Sequence, residues 1–153
     1  MPTIKSRVFG EVEVSEKQCI SFPDGILGFE FIKEYYLLDI DNSPFYSLQA
    51  SGEGEIAFIL IRPQTFVREY RLEIGAADME ALGVRSVDEL LDFAIVTVPE
   101  NPAQMTANLQ GPIVINKKTR IARQTISLNE DYCTKHPILA ALQGRPRIAR
   151  GLA

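Results

Sequence analysis

A chain of 153 residues, 46% apolar and 24% charged, has the size and composition of one globular domain, 1–153, that buries a core without staples. No apolar run approaches the ~18 residues of a membrane span, and the N-terminal MPTIKSRVFGEVEV lacks the apolar centre of a secretory signal, so the cytoplasm is the expected location. Net charge is −4, yet Thr134–Ala153 holds four bases and no acid, which leaves the remainder at −8; that argues against binding nucleic acid or membrane and suits a basic partner.

In chain order, Thr3–Phe9 reads as a strand, and Glu11–Val14 alternates polar with apolar, as a half-buried strand does. Gln18–Phe22 follows, and Pro23-Asp24-Gly25 signals a turn, proline setting one φ and glycine free to take φ above zero. Tyr35–Ile40, Phe45–Gln49 and Ile56–Ile61 are further strands; the last is apolar throughout and reads as a central strand covered on both faces. Gly52-Glu53-Gly54 between them reads as a mobile loop. Glu69–Ile74 is another strand candidate, then Ala76–Leu82 a short helix ended by Gly83. Ser86 and Glu89 make a capping box that predicts a helical turn or two into Leu90 and Leu91. Phe93–Val98, Thr106–Leu109, Ile113–Asn116 and Arg120–Leu128 complete the strands, with Asn116–Thr119 as a hairpin turn. A last helix is predicted from Pro137 to Gly144, with Ile138, Ala141 and Leu142 on one stripe, and 145–153 reads as a mobile basic tail. About ten short strands with stray helical turns predict an all-β, mainly antiparallel fold, a small single-domain barrel with a few short helical turns and a short C-terminal helix.

The chemistry of an enzyme is hard to assemble from these residues. His136 is the one histidine, and neither cysteine, Cys19 nor Cys133, has a CxxC partner; both are expected as reduced thiols in or near the core. That set cannot make a zinc tetrahedron, and Asp39 and Asp41 lack calcium-loop spacing. No metal, cofactor or catalytic residue is expected. What stands out is surface chemistry: Phe29, Phe31, Tyr35, Tyr36, Phe45 and Tyr46 bring six of thirteen aromatics into eighteen positions. Strand alternation cannot hide both members of Tyr35/Tyr36 or Phe45/Tyr46 unless both sheet faces are covered, so some are expected at a groove or in solvent.

Three stretches combine turn formers, large apolar groups and uncharged polar groups: Phe22–Glu30 (FPDGILGFE), Pro44–Gln49 (PFYSLQ) and Thr106–Asn116 (TANLQGPIVIN). With Phe93–Pro99, Arg123-Gln124, Tyr132 and His136, they resemble in order and spacing the flagellar assembly factor FliW family, over about Ile4 to Leu139. The resemblance implies a small antiparallel barrel and a cytoplasmic regulator without catalysis. It implies two partners: flagellin, near its C-terminal helical region, and CsrA, a small basic translational repressor that grips messenger RNA. Flagellin and CsrA compete for such a factor, which couples flagellin synthesis to export. The expected contact residues are Phe29, Glu30, Phe31, Phe45, Tyr46, Gln49, Asn108 and Leu109, whereas Gly25, Gly28, Pro44, Pro112 and Asn116 read as turn and strand-end formers. The leading alternative is a barrel holding a small apolar ligand, as lipocalins do, and it requires a hollow interior.

Overall fold

Residues 2–142 are described by a computed structural model, and the predicted tail, 145–153, lies outside them. Alternating polar and apolar residues make β1 (Thr3–Ser6) and β2 (Gly10–Glu13) a hairpin of their own, its tip turned by Gly10 at φ 70°. The main sheet is a meander of β3 (Cys19–Ser21), β4 (Glu34–Asp39), β5 (Phe45–Ala50), β6 (Ala57–Ile61), β7 (Leu90–Thr97), β8 (Thr106–Asn116) and β9 (Ala122–Gln124). Every strand pairs antiparallel with the next. A short β10 (His136–Pro137) takes the part of the β8 edge that β9 leaves free. The sheet then returns on itself: Ser21 bridges Ile121 in parallel, and its N–H donates to the Arg120 carbonyl at 3.0 Å. The predicted antiparallel barrel is the observed architecture, nearly closed.

Period-two alternation explains how so small a barrel covers both faces of its strands. On β6, Phe58 and Leu60 face the interior with Phe22, Tyr35, Leu48, Phe93 and Ile113, whereas Ile59 and Ile61 face outward. The outer face is covered in turn, by Phe66, Val67 and Tyr70 of one loop and by Tyr132, Ile138, Ala141 and Leu142 of the C-terminal segment. Buried Asp92 on β7 anchors that loop, accepting hydrogen bonds from Arg62 Nη2 and Gln64 Nε2, each at 2.9 Å. The helix α1 (Ala76–Leu82), ended by Gly83 at φ 71°, packs Leu82 beside Val84, Leu90 and Val114. The interior is filled by aromatic and branched side chains, which counts against a lipocalin-like hollow. Among the described residues no helix is long and apolar enough to cross a membrane.

Because both faces of the sheet are covered, the paired aromatics stay largely out of solvent, while Phe31, another of the six, is exposed as expected. Tyr35 is fully buried, Tyr46 packs edge-on against Phe93 at 5.2 Å, and Phe45 lies under the outer layer, while Tyr36 is half-buried. Other predicted elements differ for local reasons. Glu69–Ile74 forms no ladder: Glu69 adopts φ 54°, and Leu72 and Ile74 serve to pack against α1. The Ser86/Glu89 capping box forms, but it closes only a 3-10 turn at Val87–Glu89 before Leu90 enters β7, where tertiary pairing overrides the helical start. The two predicted strands around Pro112 are one strand with a bulge, the single residue Ala94 lying opposite Leu109–Pro112. Asn108 Oδ1 holds that bulge, accepting from the N–H groups of Gln110 (3.0 Å) and Gly111 (2.8 Å). Pro137 belongs to β10 and helical geometry begins at Leu139, although the predicted stripe does face the core. The Gly52–Gly54 loop is pinned rather than loose, because Gln49 Nε2 reaches the carbonyls of Glu53 and Gly54. Both cysteines are free, but only Cys19 is partly buried; Cys133 is exposed.

The Tyr35 hydroxyl is buried without a hydrogen-bond partner, a cost of about 1–3 kcal/mol for an unsatisfied group. Burial also pushes its pKa up to about 12. The unfolded chain ionises near pH 10, so this contribution is whole below pH 10 and is lost as pH rises from 10 toward 12. Tyr35→Phe is therefore expected to gain up to about 1 kcal/mol at neutral pH and to show a shallower alkaline loss, both read by urea denaturation. A destabilised Phe variant would contradict the assignment.

Candidate functional site

One end of the barrel is plugged by a loop whose conformation follows from three consecutive turns. Pro23 and Gly25 close the first, with Gly25 N–H donating to the Phe22 carbonyl at 2.9 Å. Gly25 lies at φ 70°, and an added Cβ would come within 2.5 Å of the Glu30 backbone, so the site excludes a side chain on two grounds. Gly28, at φ 88°, supplies the left-handed third position of the turn from Ile26 to Phe29. The last turn joins Phe29 to Ile32 at 3.1 Å. Ile26 and Ile32 are thereby driven into the interior, and Phe29 packs edge-on against Phe58 at 5.1 Å. The intervening side chains go outward: Leu27 is 81% exposed and Phe31 67%.

The loop is tied to the far side of the sheet by two neighbours on β9. Gln124 Oε1 accepts from Leu27 N–H at 3.0 Å, and its Nε2 donates to the Gly111 carbonyl at 3.3 Å, joining the loop to the β8 bulge. Arg123 pairs with Asp24 in the first turn and, at 2.8 Å, with Asp78 of α1. Beyond β9 the chain keeps alternating, with inverted polarity. Thr125 and Ser127 are buried, Thr125 donating to the Pro112 carbonyl, while Ile126 (70%) and Leu128 (61%) project into solvent. Leu27 and Phe31 on the loop, and Ile126 and Leu128 beyond β9, are thus exposed apolar side chains carried on hydrogen-bonded segments. Glu30 lies on the same loop, its carboxyl held below the usual range chiefly by the N–H groups of Gly28 and Glu30 itself. Exposed apolar groups on an ordered frame suit the capture of a complementary apolar face.

The expected contact residues therefore divide. Phe29, Glu30 and Phe31 lie on this loop, and Asn108 is linked to the loop's Leu27 N–H through the bulge and Gln124. Phe45 and Tyr46 belong to the sheet packing. Gln49 and Leu109 are fully buried, so neither reaches a partner from the folded state. The Gln49 amide accepts from Arg7 N–H at 2.8 Å and donates to the carbonyls of Glu53 and Ile56, stapling the β1–β2 hairpin to the sheet. Leu109 packs under the outer layer with Ile138. Asn116 is the turn former expected, its Oδ1 accepting from Lys118 and Thr119 and its Nδ2 donating to the Leu82 carbonyl. His136 lies in β10 with its ring 5.4 Å from Phe66. Sequence reasoning missed Leu27, Ile126 and Leu128. The alternation of Gln124–Leu128 was visible, but polar residues facing inward reverse the rule by which a strand is oriented.

Comparisons with known proteins agree with the barrel fold. A family model described as FliW protein matches residues 3–138. The flagellar assembly factor FliW of Leptospira interrogans serovar Lai is 44% identical over 138 residues, covering 89% of this chain and 92% of that protein. The one from Treponema denticola is 40% identical over 94% of this chain and 98% of its own length. A crystal structure of the flagellar assembly factor FliW superposes with a TM-score of 0.81 at 33% identity, covering 89% of this chain and 96% of that one.

Two substitutions test the frame. Gly25→Ala forces an alanine into the left-handed region against backbone, a strain of at least about 1–3 kcal/mol; it should lower the denaturation midpoint and speed hydrogen exchange at Phe29 and Ile32. Gln49→Ala should cost roughly 2–3 kcal/mol by leaving buried groups unpaired, with the largest exchange increases in β1 and β2. Wild-type protection in both variants would show that the loop and hairpin are held by something else.

Proposed function

This chain belongs to the FliW family, and we propose that it is a non-catalytic cytoplasmic factor that binds newly made flagellin and antagonises CsrA. The observation that carries the reading is the set of exposed apolar side chains Leu27, Phe31, Ile126 and Leu128, on segments held in place by Gly25, Arg123 and Gln124. A helix from the C-terminal region of flagellin presents an apolar stripe, and laying such a stripe onto exposed leucine, isoleucine and phenylalanine is a recurrent recognition mode. Phe29, Glu30 and Asn108 frame that contact, and the role demands no nucleophile or metal. Occupancy by flagellin shields the chaperoned helix from premature assembly.

Charge supports the second partner. A protein that grips RNA must be basic, and the −8 carried by Met1–Cys133 draws such a partner in and then opposes the approach of phosphate. Antagonism of this kind is a coupling of two binding events and is reciprocal: RNA weakens the factor's hold on CsrA by the same ratio.

Leu27→Asp and Ile126→Asp are expected to weaken flagellin binding by at least about 1–2 kcal/mol, roughly tenfold or more, with circular dichroism unchanged because both side chains are exposed. Wild-type affinity in both would refute this surface. The affinity of CsrA for RNA should fall when this protein is added, and the fall should shrink with rising salt; RNA binding that ignores the protein at every ionic strength would rule out the antagonism.

A further inference from the structure

Beside the point where the barrel closes, its mouth opens into a cleft of about 540 Å³, within the range of small-molecule sites. The floor is hydrocarbon, made by Ile20 of β3, Leu37 of β4, Leu91 of β7 and Ile115 of β8. The rim is cationic: Lys17, Lys117 and Arg120 face a single carboxylate, Asp39, a local excess of positive charge on a chain whose net charge is −4. None of the three cations is in a salt bridge among the described residues. Lys117 Nζ donates only to the Asp88 carbonyl, at 2.9 Å. Arg120 adopts φ 60°, a left-handed conformation that an arginine rarely takes, and its carbonyl accepts the Ser21 N–H that closes the barrel.

The neutral polar groups of the cleft are already engaged. Gln18 accepts from Ser15 N–H at 2.8 Å and donates to the Leu37 carbonyl at 3.4 Å. Asn116 has both ends of its amide engaged, Oδ1 in the β8–β9 turn and Nδ2 on the Leu82 carbonyl. A nucleobase or sugar would leave its hydrogen-bonding edges unpaired on the floor, which disfavours it. A plain hydrocarbon with one anionic head leaves nothing unpaired.

We propose that this cleft binds an aliphatic carboxylate of medium chain length, its tail on the Ile20–Leu37–Leu91–Ile115 floor and its head group between Arg120 and the two lysines. The guanidinium suits a carboxylate through paired N–H donors. The cleft opens at the rim of the barrel, its floor being the outer edge of the packed interior, and none of Leu27, Phe31, Ile126 and Leu128 lines it. Its occupant touches both sides of the seam, β3 and the β8–β9 turn, and ties them together.

Methyl-detected NMR titration of the full chain with octanoate tests the assignment. Saturable shifts are expected at the Ile20, Leu37, Leu91 and Ile115 methyls, with hexanoate about fifteenfold weaker, since each of its two missing methylenes contributes roughly fourfold. Octan-1-ol, which has the tail without the charge, should bind at least tenfold more weakly. Arg120→Asn removes the charge with a residue that tolerates the left-handed conformation, and Lys17→Gln changes an exposed side chain; each should weaken octanoate severalfold while leaving the unliganded spectrum folded. Equal binding of octanol and octanoate, shifts centred elsewhere, or unchanged affinity in both variants would overturn the proposal.

Discussion

The sheet closes on itself through one slender contact, the Ser21 N–H donated to the Arg120 carbonyl, and much of the rest is arranged around it. Seven short strands rolled into a ring leave an interior that only side chains fill. Ring closure requires the chain to turn sharply at both sides of the seam. On one side Pro23 and Gly25 divert it across the end of the barrel; on the other, Asn116 and the left-handed Arg120 return it from β8 into β9. The end-plugging loop and the seam cleft are both consequences of that geometry.

The sheet is also clothed on its outer face. The loop carrying Phe66 and Tyr70, α1, and the segment from Tyr132 to Leu142 cover strands that would otherwise present apolar residues to water. Tyr70 and Tyr132 stack at 5.2 Å where two of these coverings meet. With both faces covered, alternation along a strand ceases to separate surface from core. Exposure is transferred to turns and strand ends, where Leu27, Phe31, Ile126 and Leu128 are found. The exposed apolar groups therefore lie at the edges, on segments held by Gln124 and Arg123, rather than on the flat of the sheet.

The seam cleft and the apolar surface differ in chemistry, and the difference follows from what each turn leaves over. In the Phe22–Lys33 loop most backbone groups are paired within the turns, and its large apolar side chains Leu27 and Phe31 are left exposed. At the β8–β9 turn the side-chain amides are committed to the backbone and the leftover groups are cations. One scaffold therefore carries two chemically unlike exposed regions, one at each of two chain reversals.

Much of this was legible in the amino acids. Strand positions from Glu34 to Ile61, the turns at Pro23–Gly25 and Asn116–Thr119, the helix at Ala76–Leu82 and the antiparallel barrel all follow from local pattern, because alternation, proline and glycine act over a few residues. The family, too, was readable from ordered motifs. What the chain could not disclose was burial that depends on distant segments. Gln49 and Leu109 look like surface candidates until a hairpin and a C-terminal segment are laid over them, and Ile126 looks like core until Thr125 finds the Pro112 carbonyl inside. Local sequence fixes how the backbone bends; which side of the bend meets water is decided only when the sheet closes and its outer face is covered.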